Sequence, residues 1–184
     1  MSEKTNKQYT AQAEITRQIF IDKNKDYGLS WRILRIPSLI DQIYIKADRI
    51  RNLENGKIPC IKDDISSEFA GIINYCIITL IQIELNNSAD ESEISFDRAL
   101  TLYDLYLKKA QELMKLKNHD YGEAWRNMYI SSYTDIILTK ILRIRQILEN
   151  KGQTWVSEGI ESNLFDMINY AFFALIKIKE QDEN

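Results

Sequence analysis

The sequence predicts an all-α protein, a pseudo-twofold helical bundle made of two three-helix repeats. Three observations predict it. Residues 23–32 read Lys-Asn-Lys-Asp-Tyr-Gly-Leu-Ser-Trp-Arg and residues 117–126 read Lys-Asn-His-Asp-Tyr-Gly-Glu-Ala-Trp-Arg, seven of ten identical at an offset of 94. The register then holds: Ser38, Asp41, Lys46, Arg49, Ile50 and Arg51 recur as Ser132, Asp135, Lys140, Arg143, Ile144 and Arg145. After a one-residue slip, Asn74-Tyr75 recurs as Asn169-Tyr170. Finally, apolar residues recur at helical spacing almost throughout, and no segment alternates with period two for long enough to be a strand. Similarity over most of a chain means two related structural units. We place repeat one at 8–84, repeat two at 102–179, and a linker plus the start of the next helix at 85–101, all within one domain spanning 1–184.

The elements follow in order. The first helix of repeat one spans 6–23. Its counterpart starts at Ser95, a good N-cap with Asp97 in the first turn, and runs to Lys117. Its stripe is Phe96, Ala99, Tyr103, Tyr106, Ala110 and Leu113, alternating steps of three and four. Each first helix ends near Asp-Tyr-Gly, where Gly28 or Gly122 can turn the chain. A short helix or turn follows at each Trp-Arg. Second helices span 38–54 and 132–149, with Pro37 before the first and Gly56 and Gly152 as stops. Third helices span 63–84 and 158–180 and are apolar nearly all round, which places them centrally. A three-helix half is too thin to bury such a helix alone, so the halves should pack together.

Composition excludes several classes. Lys and Arg number 24 against 27 Asp and Glu, a net charge of −3, so no basic face for general nucleic-acid binding is expected. Cys60 and Cys76 lack metal-type spacing, and a single histidine argues against a structural zinc site. The N-terminus has no apolar signal core. The longest apolar run, Phe69 to Ile83, contains Asn74, Tyr75, Thr79 and Gln82 and reads as too short to span a bilayer. These features predict a cytoplasmic protein without a membrane role.

The candidate site residues are the polar ones that both repeats keep. Lys23, Asp26, Tyr27, Trp31 and Arg32, with Lys117, Asp120, Tyr121, Trp125 and Arg126, surround a glycine turn at a helix end. Such a corner can form a pocket rim: cations for phosphate, tryptophan to stack on or wall a ligand. The same set can instead be architecture, with Trp packing the corner and Asp pairing with Arg. Lys46, Arg49, Lys140 and Arg143 lie on the second helices. Lys46 sits between Ile43 and Ile50, and Lys140 between Ile137 and Ile144, at the margin of the apolar face. A cation there needs an anion, either a third-helix carboxylate such as Glu68 or Asp166, or a ligand phosphate. Asn74 and Asn169, beside Tyr75 and Tyr170, must spend their amides on helix cross-links or on a ligand.

Carboxylates are where the repeats diverge. Asp166 aligns with Gly71, and Glu68 with Asn163. Asp63, Asp64 and Glu68 cluster at one third-helix start, and Glu158, Glu161 and Asp166 at the other. A metal-dependent phosphate enzyme would need such groups on Mg²⁺, with Glu161 and Asp166 the candidate ligands. Charges at a helix start are also ordinary dipole partners. His119 replaces Lys25 and is expected to be exposed.

The string Lys-Asn-x-Asp-Tyr-Gly-x-x-Trp-Arg, then Lys-x-x-Arg-Ile, then Asp-Met-Ile-Asn-Tyr-Ala resembles the nucleotide-modification-associated domain of type 1. The resemblance covers both halves and implies a role beside enzymes that make or modify nucleotides. The helix order is similar to that of MazG-like nucleoside triphosphate pyrophosphohydrolases, which hold Mg²⁺ on Glu-x-x-Glu and Glu-x-x-Asp. Here the second helices carry Lys46-x-x-Arg49 and Lys140-x-x-Arg143 instead. Glu158-x-x-Glu161 falls on the third helix, and Asp166-x-x-Asn169 is a partial echo. Two functions follow as expectations. One is a protein binding a nucleotide or another phosphorylated small molecule, with Mg²⁺-assisted phosphoanhydride hydrolysis if it is an enzyme. The other is a non-catalytic helical module that binds a protein or forms a homodimer.

Overall fold

The computed structural model describes residues 3–58, 64–86, 94–152 and 159–183. Among the described residues there are six α-helices and no strand: α1 (Glu3–Tyr27), α2 (Ile36–Glu54), α3 (Ile65–Asn86), α4 (Phe96–Tyr121), α5 (Ile130–Glu149) and α6 (Ile160–Asp182). Two 3₁₀ turns, Ser30–Ile33 and Ala124–Asn127, carry the Trp-Arg pairs. Cys60, Asp63 and Glu158 lie outside the described residues.

The helix ends have local causes. Ser95 caps α4, its side chain accepting from the backbone N–H of Arg98 at 3.1 Å. Gly122 ends α4 at φ +62° and ψ −154°, a combination that a Cβ makes costly. α1 and α4 run four residues past their expected ends, through the Asp-Tyr of the motif and up to Gly28 and Gly122.

α3 and α6 pack against each other at the centre. α2 lies on α3, α5 on α6, and α2 and α5 touch. α1 and α4 each cross both central helices. The core is one cluster drawn from both halves. α3 is a helix buried in protein, as the apolar run from Phe69 to Ile83 reads, although the argument from its length does not hold. At 22 residues it is long and apolar enough to cross a membrane, but 83% of its apolar window is buried inside the protein. Its apolarity is used by its neighbours.

Reciprocal hydrogen bonds tie the halves. Tyr9 of α1 donates to Asn169 Oδ1 of α6 at 2.8 Å, and Tyr103 of α4 donates to Asn74 Oδ1 of α3 at 2.7 Å. Each asparagine also donates to a carbonyl of its own half, Asn74 to Thr16 at 3.3 Å and Asn169 to Ala110 at 3.1 Å. The two sets are equivalent in the repeat register. The amides of Asn74 and Asn169 are thereby spent on helix cross-links.

Candidate functional site

Each corner is built the same way. The first helix stops at its glycine, leaving Tyr27 and Tyr121 exposed at the rim (72% and 76%). The 3₁₀ turn then folds Trp31 or Trp125 inward, where each is buried. The third helix pins the chain that follows. Gln82 donates to the carbonyls of Arg32 and Leu34, both at 3.1 Å. Lys177, the equivalent residue, donates to the carbonyls of Arg126, at 2.9 Å, and Met128. Sequence reasoning missed this pair. The available signal was one polar side chain at the same place on each apolar helix.

Behind each corner lies a cavity walled by matching positions: Lys23 and Lys117, Asn24 and Asn118, Tyr27 and Tyr121, Trp31 and Trp125, Asn74 and Asn169, Tyr75 and Tyr170. Most of the repeated motif therefore converges on one place in each half. The cavities differ in size. The first holds about 120 Å³ and the second about 460 Å³. Small-molecule sites commonly run to roughly 300–1,000 Å³, so only the second reaches that range. A wider groove of about 790 Å³ beside Glu54, Tyr129 and Lys177 is not built from the repeated motif.

Charge is arranged differently in the two halves. Lys46 and Arg49 both bind Glu68, at 3.1 and 2.7 Å, and the Glu68 side chain is only 6% exposed. The Lys46 stem crosses Gly71 so closely that a Cβ there would come within 2.6 Å of its Cε. In repeat two, Asp166 stands where Gly71 does. One of its oxygens takes Lys140 at 2.6 Å and the other takes Lys117. A carboxylate has moved by one helical turn and kept the same second-helix lysine neutralised. Arg143 is exposed on the surface.

Asp26 and Asp120 are exposed and line neither cavity. Arg32 donates to Gln82 at 2.5 Å. Arg126 bridges Glu123, Glu180, Thr5 and Gln8, joining its corner to α6 and to α1. Trp125 is not a stacking platform. Phe173 stacks on Trp125 at 4.3 Å and 6°, and the Arg126 guanidinium sits 4.3 Å from the same ring centre, so both faces are taken. Burial, and then the Asp166 charge, hold the Tyr170 hydroxyl above its ordinary pKa, so it remains a proton donor at neutral pH.

The expected Mg²⁺ ligands do not fit that role. Both oxygens of Asp166 are engaged by ammonium groups. Glu161 is exposed and lies five residues earlier, roughly 140° around the same helix. Among the described residues no three metal-ligating side chains converge.

The tryptophan N–H groups separate the two cavities. Trp31 Nε1 donates to Asn24 Oδ1 at 3.0 Å, and Asn24 in turn donates to the Phe20 carbonyl at 2.7 Å. In repeat two, Asn118 turns its amide to the Met114 sulfur at 3.2 Å, a weak acceptor. Trp125 Nε1 is buried and has no partner among the described residues. A buried orphan donor costs about 1–3 kcal/mol.

Fold and site together define a class: an all-α protein whose two halves each fold a Lys-Asn-x-Asp-Tyr-Gly corner over a pocket. The chain belongs to the nucleotide modification associated domain 1 family, whose model matches residues 23–83 and 117–178. Each matched segment begins at the motif lysine of its repeat. Comparison with curated proteins and with solved structures finds no match. The likeness to MazG-like enzymes is without support in these comparisons.

Proposed function

We propose that the protein binds a nucleotide, or a phosphorylated small molecule of the same chemistry, in the service of nucleotide metabolism or base modification. One observation carries this reading. The lysine, asparagine, tyrosine and tryptophan of the repeated motif and the third-helix Asn-Tyr converge on a cavity in each half, and in repeat two that cavity has the volume of a small-ligand site. Lys117, which lines the cavity with a side chain 45% exposed, would share its charge between Asp166 and a ligand phosphate. The family's description points to the same chemistry. Asp166, already neutralising two lysines, offers no free carboxylate to a metal ion.

The pairing of Lys46 and Arg49 with Glu68 is what an interaction module would show, and it favours that role for the surface of repeat one. The cavity beside Trp125 favours a ligand. A thermal-shift panel of nucleoside mono-, di- and triphosphates, with and without Mg²⁺, tests the proposal. A ligand at a hundredfold its dissociation constant adds about 2.7 kcal/mol of stability, readily seen as a melting shift. A flat panel refutes nucleotide binding and leaves the interaction module.

A further inference from the structure

We infer that only the second repeat's cavity takes the ligand, and that it recognises a planar heterocycle, the nucleobase, through the Trp125 indole N–H and the Asn118 amide. This rests on the nucleotide reading and names which part of the ligand enters and where.

The argument starts from a comparison the chain makes with itself. Trp31 and Asn24 satisfy one another in repeat one. Trp125 and Asn118, the same two residue types at the same two positions, line the second cavity without bonding to each other, and the Trp125 N–H lies just beneath the cavity surface, where an acceptor reaches it once the side chains around it shift. A buried donor and a buried amide that stand apart are completed by a group presenting an acceptor to the indole and a complementary edge to the amide. Nucleobases present ring nitrogens and carbonyls beside amino or imino donors on one planar edge. Tyr121, Tyr170, Met114, Met128 and Phe173 supply wall suited to a flat ring, and Asp166 and Asn169 add a polar edge to it. Lys117, half-exposed and paired with Asp166, is the cation of this cavity that a phosphate would engage.

Repeat one is closed by its own residues. Its Trp-Asn pair is complete, and the Lys46 stem lies over Gly71 on the cavity wall. Its volume of about 120 Å³ falls below the range of small-ligand sites.

The test uses the full chain labelled with ¹⁵N at its three tryptophans, Trp31, Trp125 and Trp155. Each indole N–H gives one signal, assigned by single Trp→Phe variants. Probes are inorganic phosphate, uncharged nucleosides and nucleoside monophosphates. The inference expects one equivalent bound per chain, a saturable movement of the Trp125 signal with nucleosides as well as nucleotides, and a still Trp31 signal. Trp125→Phe, which keeps a ring and deletes the donor, should weaken binding about tenfold, equivalent to about 1.4 kcal/mol. Trp31→Phe should leave affinity unchanged. The wild-type titration stands whether or not the variants fold.

Two equivalents per chain, or nucleotide binding with the Trp125 signal unmoved, would overturn the inference and leave nucleotide binding intact. Phosphate binding without nucleoside binding would overturn base recognition alone. Loss of all binding would overturn the functional proposal, and the inference with it. In the ligand-free protein, Asn118→Ala should barely move the Trp125 signal, while Asn24→Ala moves that of Trp31. Equal movements would show that the Trp125 donor is already satisfied and would overturn the inference.

Discussion

Removing one hydroxyl from the joint between the halves should cost the same on either side. Tyr9 and Tyr103 are fully buried, and each gives its hydroxyl to the buried amide oxygen of an asparagine in the other half. Tyr→Phe keeps the ring and its aromatic contact, Phe172 at 4.3 Å for Tyr9 and Phe20 at 4.3 Å for Tyr103. What is lost is the donor, and the asparagine oxygen is left buried without it. That penalty is about 1–3 kcal/mol per site. The two bonds share no side chain, so the double variant should lose their sum, about 4 kcal/mol if each costs about 2. Urea denaturation reads this directly. With an m-value of about 2 kcal/mol/M, each single variant moves the midpoint down by roughly 1 M at unchanged m. A midpoint shift under roughly 0.2 M for either variant, or a large shift for one and none for the other, refutes the reciprocal joint.

Other predictions follow from the charged and turning positions. Asp166→Asn leaves Lys140, 13% exposed, beside Lys117 with no counter-charge, and should cost about 2–3 kcal/mol after discounting the more exposed Lys117. The double variant Asn163→Glu with Asp166→Gly instead copies the arrangement of repeat one. Calorimetry should show it regaining most of that loss, and no recovery would refute the one-turn exchange of carboxylates. Gly122→Ala meets no atom within 4 Å, so its cost is purely one of backbone conformation, about 1–3 kcal/mol by chemical denaturation. An unchanged stability would refute the assigned turn. Burial raises the phenols of Tyr9, Tyr103, Tyr106, Tyr133 and Tyr170. The folded chain keeps protons that the unfolded chain sheds near pH 10. Stability is therefore full below that pH and falls as pH rises past it, by about 1.4 kcal/mol per pH unit for each phenol still protonated. Tyrosinate absorbance from these five should appear only together with loss of helical circular dichroism. Titration of all ten tyrosines with helicity intact would refute it.

Local signals read well in this chain because they were repeated. The stripe from Phe96 to Leu113, the Ser95 cap and the glycine stops each depend on neighbours in sequence, and the six helices lie within about four residues of where those signals put them, with Pro37 inside the first turn of α2 rather than before it. Lys46 and Lys140 were legible as cations needing partners, because the flanking isoleucines show the edge of the core. Which carboxylate served which lysine was not legible. It turns on Gly71 admitting a lysine stem and on Asp166 sitting one turn from the place equivalent to Glu68. The Asn74 and Asn169 cross-links end on tyrosines of the opposite half, and no spacing along the chain encodes that. Repetition also misled. Asp26 and Asp120 recur and yet face solvent, outside both cavities. The Trp125 faces read as open for stacking because Phe173 and Arg126 reach that ring only in three dimensions.

The exchange between Gly71 and Asp166 would be forbidden to a pair of identical subunits. In a symmetric dimer one codon writes both sites, so any residue that opens one pocket opens the other, and any residue that plugs one plugs both. Joining the halves in a single chain gives each position two independent spellings. Here the central helices carry one spelling each, glycine under a lysine stem on α3 and aspartate between two lysines on α6. The reciprocal tyrosine bonds keep the shared architecture symmetric, while the pockets beside it can diverge.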